Sequence, residues 1–163
     1  TTPVQDNRYN GDVNGGYKIA NLKAQIVGKN RPISSEYFIS DTRMQVSFAE
    51  PIPANGGKAT VSMDFEYKIP EKGMDRMGRL NVKDGTIYAM AQWYPKVAVF
   101  DDVTGWNTDP YLGAGEFYLG YGDFEYKVTV PYSHIVVASG ELVNASQVLS
   151  KEVQNRMAQA ANS

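Results

Sequence analysis

The stretch from Ala59 to Ile69 constrains the fold more than any other part of this sequence. Apolar residues occupy every second position, and polar or charged residues occupy the positions between them. A period of two is typical of a β-strand with one buried and one solvated face. Pro70 comes next and predicts the end of the strand, because proline cannot donate a hydrogen bond to a β ladder.

Shorter β patterns occur on both sides of this strand. Residues 17–26 alternate with a phase slip near Asn21, which predicts a β-bulge. Residues 83–86 have the composition of a hairpin turn between strands at Leu80–Val82 and Ile87–Ala91. Further short strands are predicted at Tyr37–Ile39, Met44–Phe48, Val97–Phe100, Phe124–Val130, Ile135–Ala138 and Leu142–Val143.

The period of the apolar residues changes to that of a helix only after Val143. Ser150 is suited to cap the N-terminus of a helix from Lys151 to about Ala161. We therefore predict an all-β class, with an antiparallel β-sandwich and a short C-terminal helix. The predicted organisation is a flexible N-terminal tail over 1–16, a sandwich domain over 17–143 and a helix or connector over 144–163.

The composition excludes several kinds of chemistry. The chain of 163 residues has no cysteine and a single histidine, His134. It can therefore form no disulfide, thiolate nucleophile or cysteine-based zinc site. The motif H-E-x-x-H is absent, and we interpret His134 as a histidine at a strand end. A net charge of −2 argues against nucleic acid as a partner, and no apolar run is long enough to span a membrane.

An aromatic and acidic segment stands out from this background. Eleven of the nineteen aromatic residues lie between Tyr88 and Tyr126. Between Val97 and Tyr126 there are six acidic residues and no lysine or arginine. Such a segment is either sandwich core with solvated loops or one wall of a site for something cationic.

Two functions of different kinds are open on these residues alone. A carbohydrate- or calcium-binding module would use Trp106 and Tyr111 for stacking and Asp101, Asp102 and Asp109 as oxygen ligands. The acids do not match the spacing of an EF-hand loop. A structural or adhesion domain would bury the aromatic residues and present no docking surface.

Longer motifs resemble a known family. The motifs are Gln92-Trp-Tyr-Pro, Asp101-Asp, Gly115-Glu-Phe-Tyr, Tyr121-Gly-Asp-Phe and a strand that ends at Pro131, together with Phe65-Glu-Tyr-Lys-Ile-Pro, Arg76-Met-Gly-Arg and Gly140-Glu-Leu-Val-Asn. Through them the chain resembles the N-terminal β domain of bacterial zinc metallopeptidases of the aminopeptidase N family, the gluzincins.

The resemblance implies a domain without the catalytic machinery. The zinc helix of the family has no counterpart here, and the family's first strands would precede Thr1. The chain would then hold no catalytic residue, no metal and no cofactor, while zinc would be bound by the absent catalytic domain. That domain, and a peptide substrate, are the implied partners, and a periplasmic or secreted location is implied as well. Gln92 matches a glutamine that lines the pocket for the first residue of the substrate.

Overall fold

The structure, a computed structural model, describes residues 15–29, 36–71, 76–109 and 118–162. Within these residues, 33% lie in strands and 11% in helices. The mainly-β class and the antiparallel pairing are therefore confirmed. Most of the predicted N-terminal tail lies outside the described residues. The chain divides into two compact units, Thr1–Tyr121 and Gly122–Ser163.

The described residues of the first unit form four two-stranded antiparallel ladders. The strands are β1 (Lys18–Ile26), β2 (Glu36–Ser40), β3 (Arg43–Ser47), β4 (Ala59–Glu66), β5 (Met77–Val82), β6 (Gly85–Met90), β7 (Phe100–Asp101) and β8 (Gly105–Trp106). β1 pairs with β4, and the other three pairs are hairpins of consecutive strands. A stacking of these ladders into a sandwich remains a proposal.

Local sequence signals explain the longest pairing. The β1–β4 register shifts between Ala20 and Lys23, where the phase slip near Asn21 predicts a bulge. Asn21 has a φ of 51° and donates its side-chain amide to Asp64 at 2.6 Å. Asparagine tolerates this left-handed backbone better than most residues, so it can absorb the extra residue of the bulge.

The turn between β5 and β6 follows the same logic. Gly85 has a φ of 147°, which is open to glycine and strained for residues with a Cβ atom. The ladder then runs from Val82 opposite Gly85 to Met77 opposite Met90. The predicted hairpin is confirmed.

Apolar residues that are completely buried are few. Among the described residues, only Ala24 and Ile26 fall in the buried class, each 1% exposed, and both lie on β1. The alternate positions of β4 are only partly covered, and Val61 is 40% exposed. The core of the first unit is therefore centred on the C-terminal half of β1.

In the second unit, residues 122–162 are described, and they form helices but no strand. α1 spans Ala145–Val148 and α2 spans Lys151–Ala160. The Ser150 hydroxyl accepts a hydrogen bond from the Val153 N–H at 3.3 Å, which confirms the predicted cap. Glu152 and Arg156 form an ion pair at 2.9 Å one helical turn apart. Within the residues that the structure describes, no helix is long and apolar enough to cross a membrane.

The strands predicted at Phe124–Val130, Ile135–Ala138 and Leu142–Val143 are wrong as secondary structure. Residues 118–143 are all described, and none of them belongs to a ladder. Alternation supplies the side-chain pattern of a strand, but a strand also needs a partner for its backbone groups. Val97–Phe100 is likewise reduced to Phe100, the first residue of β7.

Candidate functional site

Gln92 lies in a sharp corner directly after β6. The strand ends at Met90, and the Ala91 N–H donates to the Arg76 carbonyl at 3.0 Å, just beyond the ladder. Gln92 itself is exposed and has a φ of 53°. The predicted site residue is therefore accessible to solvent, and its backbone is left-handed.

The left-handed conformation sets Gln92 apart by residue type. Four non-glycine residues of the described chain have a positive φ, and the other three are Asn21, Asp41 and Asn55. Asparagine and aspartate visit this region readily because their short side chains can bond to the local backbone. Glutamine lacks that advantage, so the corner holds Gln92 against its intrinsic preference. Strain of this kind occurs more often at functional sites than elsewhere.

This strain predicts that Gln92→Asn raises the stability of the chain. We expect the free energy of unfolding to increase by up to about 1 kcal/mol, since a left-handed L-residue costs roughly 1–2 kcal/mol and asparagine less. The measurement is chemical denaturation followed by circular dichroism. Asn55→Gln is the matched control, because Asn55 has a φ of 59° and should lose stability by a similar amount. A loss of stability in Gln92→Asn would contradict a strained corner.

An aromatic cluster lies beside Gln92 and consists of Tyr17, Phe65, Tyr67, Trp93 and Tyr94. The ring centroids of Tyr17 lie 5.4 Å from Phe65 and 5.5 Å from Tyr67, both edge-on. Trp93 lies 6.4 Å from Phe65 and 5.1 Å from Tyr94. These distances are typical of favourable aromatic pairs. The cluster thus joins the residue that precedes β1, the end of β4 and the corner after β6.

The polar groups of the cluster also make specific contacts. The Tyr17 hydroxyl donates to the Gln92 carbonyl at 3.4 Å, and the Tyr67 hydroxyl contacts the Met90 sulfur at 3.5 Å. Partial burial raises the pKa of both phenols, and for Tyr17 the neighbouring Tyr67 raises it further. The Lys96 ammonium lies 5.3 Å from the centre of the Tyr94 ring.

The predicted acidic residues do not converge on one point. Asp101 Oδ1 accepts hydrogen bonds from the Thr104 N–H at 2.7 Å and the Val103 N–H at 3.0 Å. Its Oδ2 accepts from the Asn107 side-chain amide at 2.9 Å. The Thr104 N–H and then the Asn107 amide lower the pKa of Asp101. Asp101 thus closes the β7–β8 turn with its own oxygens.

The other residues of the calcium and carbohydrate hypothesis are spread apart or not described. Asp102 and Asp109 are exposed, while Tyr111 lies outside the described residues. In the described part of the chain, no three acidic or histidine side chains are grouped as a metal site would require. Trp106 is 58% exposed and lies edge-on to Phe100 at 5.1 Å.

His134 lies in a turn of the second unit rather than at a strand end. Its backbone N–H donates to the Pro131 carbonyl at 2.9 Å, and its ring Nδ1 lies 3.3 Å from the Ser133 hydroxyl. Sequence reasoning missed the link between Tyr17 and the Gln92 corner. The only signal for this link in the sequence is that residues 17, 65, 67 and 93 are aromatic, and residue type alone does not indicate which rings are in contact.

Comparison with known proteins leaves the site to be interpreted from its own geometry. No protein-family model, curated protein sequence or solved structure matches the chain. The structure therefore defines a mainly-β protein in which an exposed glutamine, Gln92, has a left-handed backbone and lies beside the aromatic cluster.

Proposed function

We propose that this chain is the non-catalytic β-sandwich domain of a zinc-dependent aminopeptidase-like metallopeptidase. It packs on a catalytic domain and forms one wall of the substrate cleft, with Gln92 on that wall. The observation that carries the proposal is the Gln92 corner, in which an exposed amide is held in a strained conformation. The resemblance of residues 92–131 to the aminopeptidase N family also supports a place for Gln92 on the cleft wall.

The exposed apolar side chains support a domain that is covered by another surface. Tyr37, Phe38 and Ile39 of β2 are 47%, 69% and 49% exposed, and Leu80 and Ile87 of the β5–β6 hairpin are 61% and 55% exposed. Apolar side chains of this size that are left exposed are available for contact with another protein surface. Burial against a catalytic domain would remove this surface from water.

The residues of this chain do not fit the zinc site of such an enzyme. That site needs two histidines from H-E-x-x-H and a glutamate, and the chain has one histidine. Zinc would therefore be held by residues of the catalytic domain. The contribution of this chain is to bind and orient the substrate through the Gln92 amide. The exposed carboxylates of Asp102 and Asp109 add a negative charge that attracts the ammonium group of a peptide.

The test compares the 163-residue chain with the longer polypeptide that we propose contains it. The longer polypeptide should hydrolyse an aminoacyl p-nitroanilide and lose this activity with a zinc chelator, whereas the chain alone should have none. Within the longer polypeptide, Gln92→Ala should raise KM about tenfold, as expected for a lost hydrogen bond to a charged ligand. Gln45→Ala is the control, because Gln45 is an exposed glutamine of β3.

Two results would overturn this proposal. One is chelator-sensitive hydrolysis by the chain alone, and the other is a reading frame that encodes no H-E-x-x-H. An unchanged KM in Gln92→Ala would remove Gln92 from the cleft wall.

A carbohydrate-binding module is the second candidate, and the exposure of Trp106 favours it. The Asp101 hydrogen bonds hold the β7–β8 turn, and Phe100 packs edge-on against the exposed Trp106 indole, which could stack on a sugar. Titration of the chain with oligosaccharides, followed by tryptophan fluorescence, tests this candidate. A saturable change that Trp106→Ala abolishes would support it, and no change would exclude it for the sugars used.

A further inference from the structure

The Tyr17 side chain connects the β1–β4 sheet to the Gln92 corner that follows β6. Tyr17 precedes β1, and its ring lies against Phe65 of β4 and against Tyr67, which follows β4. Its hydroxyl reaches the Gln92 carbonyl, 75 residues away in sequence. The ring is therefore fixed by the β1–β4 sheet, while the hydroxyl contacts the corner.

The corner is also held on both sides of Gln92. On one side, the Ala91 N–H donates to the Arg76 carbonyl at 3.0 Å. On the other side, the Trp93 ring packs against Phe65 and Tyr94. The orientation of the Gln92 carbonyl depends on the ψ angle of Gln92. A donor to this carbonyl therefore acts on the ψ torsion of Gln92.

We propose that Tyr17 is a positioning residue for Gln92, and that its hydroxyl maintains the left-handed backbone that presents the Gln92 amide. The inference rests on the proposed function, because it gives the amide a substrate to bind. Tyr17 itself does not touch the substrate. It acts through the Gln92 carbonyl, and the aromatic cluster sets the position of its ring.

The chemistry of the phenol suits this task. The hydroxyl must remain protonated to donate to a carbonyl. A tyrosine phenol is already protonated across the neutral range, and partial burial and the neighbouring Tyr67 raise the pKa of Tyr17 further. Tyr17→Phe removes only the hydroxyl and leaves the ring contacts with Phe65 and Tyr67.

Two measurements on Tyr17→Phe test the inference. In the chain, nuclear magnetic resonance should show shifted backbone amide signals for Gln92 and Trp93, and hydrogen exchange at Trp93 should become several-fold faster. In the longer polypeptide, KM for the aminoacyl substrate should rise about threefold to tenfold with kcat within about twofold, which corresponds to one lost hydrogen bond. A purely structural role would lower the amount of active enzyme and leave KM unchanged.

Tyr37→Phe is the matched control, because Tyr37 is a 47% exposed tyrosine of β2 and is not one of the five residues that define the cluster. It should leave both measurements unchanged. Unchanged Gln92 and Trp93 signals in Tyr17→Phe would overturn the positioning role. Shifted signals with an unchanged KM would instead overturn the assignment of Gln92 to the cleft, so the two failures are distinguishable.

Discussion

Replacing Ile26 by alanine is expected to lower the free energy of unfolding of the first unit by about 2–4 kcal/mol. Ile26 is 1% exposed and is the largest fully buried side chain of the described residues. It lies at the end of β1 opposite Ala59, so the small neighbouring side chain cannot fill the cavity that the substitution leaves. Denaturant unfolding followed by circular dichroism measures the loss.

Val27 supplies the control at the next position. It is 58% exposed, and its backbone N–H donates to the Lys58 carbonyl at 2.9 Å, a bond that Val27→Ala preserves. We expect Val27→Ala to change the free energy of unfolding by less than about 0.5 kcal/mol. Equal losses in the two variants would show that the core is not centred on β1.

Replacing Phe65 by alanine is expected to cost about 2 kcal/mol, less than the 3–5 kcal/mol of a fully buried phenylalanine. Phe65 is half-buried, lies opposite Ile19 on β1 and contacts both Tyr17 and Trp93. Its removal takes away the surface on which both rings rest. The fluorescence of the tryptophans should therefore change in the folded variant, in addition to the lower stability.

Phe38→Ala is the control for the loss of a phenyl ring. Phe38 is 69% exposed on β2, so its removal should cost less than about 0.5 kcal/mol and leave the fluorescence unchanged. If Phe65→Ala behaved like Phe38→Ala, the aromatic cluster would not stabilise the first unit.

The small core gives a physical reason for the chain to need the proposed partner. A protein that exposes many large apolar side chains gains little free energy from its own burial, because this gain scales with the apolar area removed from water. A partner that binds only the folded chain raises its apparent stability by mass action. The proposed catalytic domain would thus supply contacts that this chain does not make internally.

Local patterns in the sequence predict the elements that need only neighbouring residues. Ser150 caps α2 because its hydroxyl reaches an N–H three residues ahead. Gly85 completes the β5–β6 turn because the hairpin requires a positive φ there. In both cases the sequence and the structure agree, since every interacting group lies within a few positions.

The same reasoning fails for Phe124–Val130, whose alternation is as regular as that of β4. β4 forms a strand because β1 lies beside it with a matching register. Residues 118–143 have the side-chain pattern of strands, yet no ladder includes them. Periodicity determines which face of a segment is apolar, whereas pairing depends on segments that are distant in sequence.

The candidate site divides in the same way. The sequence by itself determined the mainly-β class, the C-terminal helix and the candidacy of Gln92, because period, capping chemistry and motif are properties of short stretches. Only the tertiary structure decided that Gln92 adopts a left-handed backbone and that Tyr17 contacts its carbonyl. These features depend on bringing residues 17, 65 and 92 together, and a contact over 75 positions leaves no periodic trace in a chain.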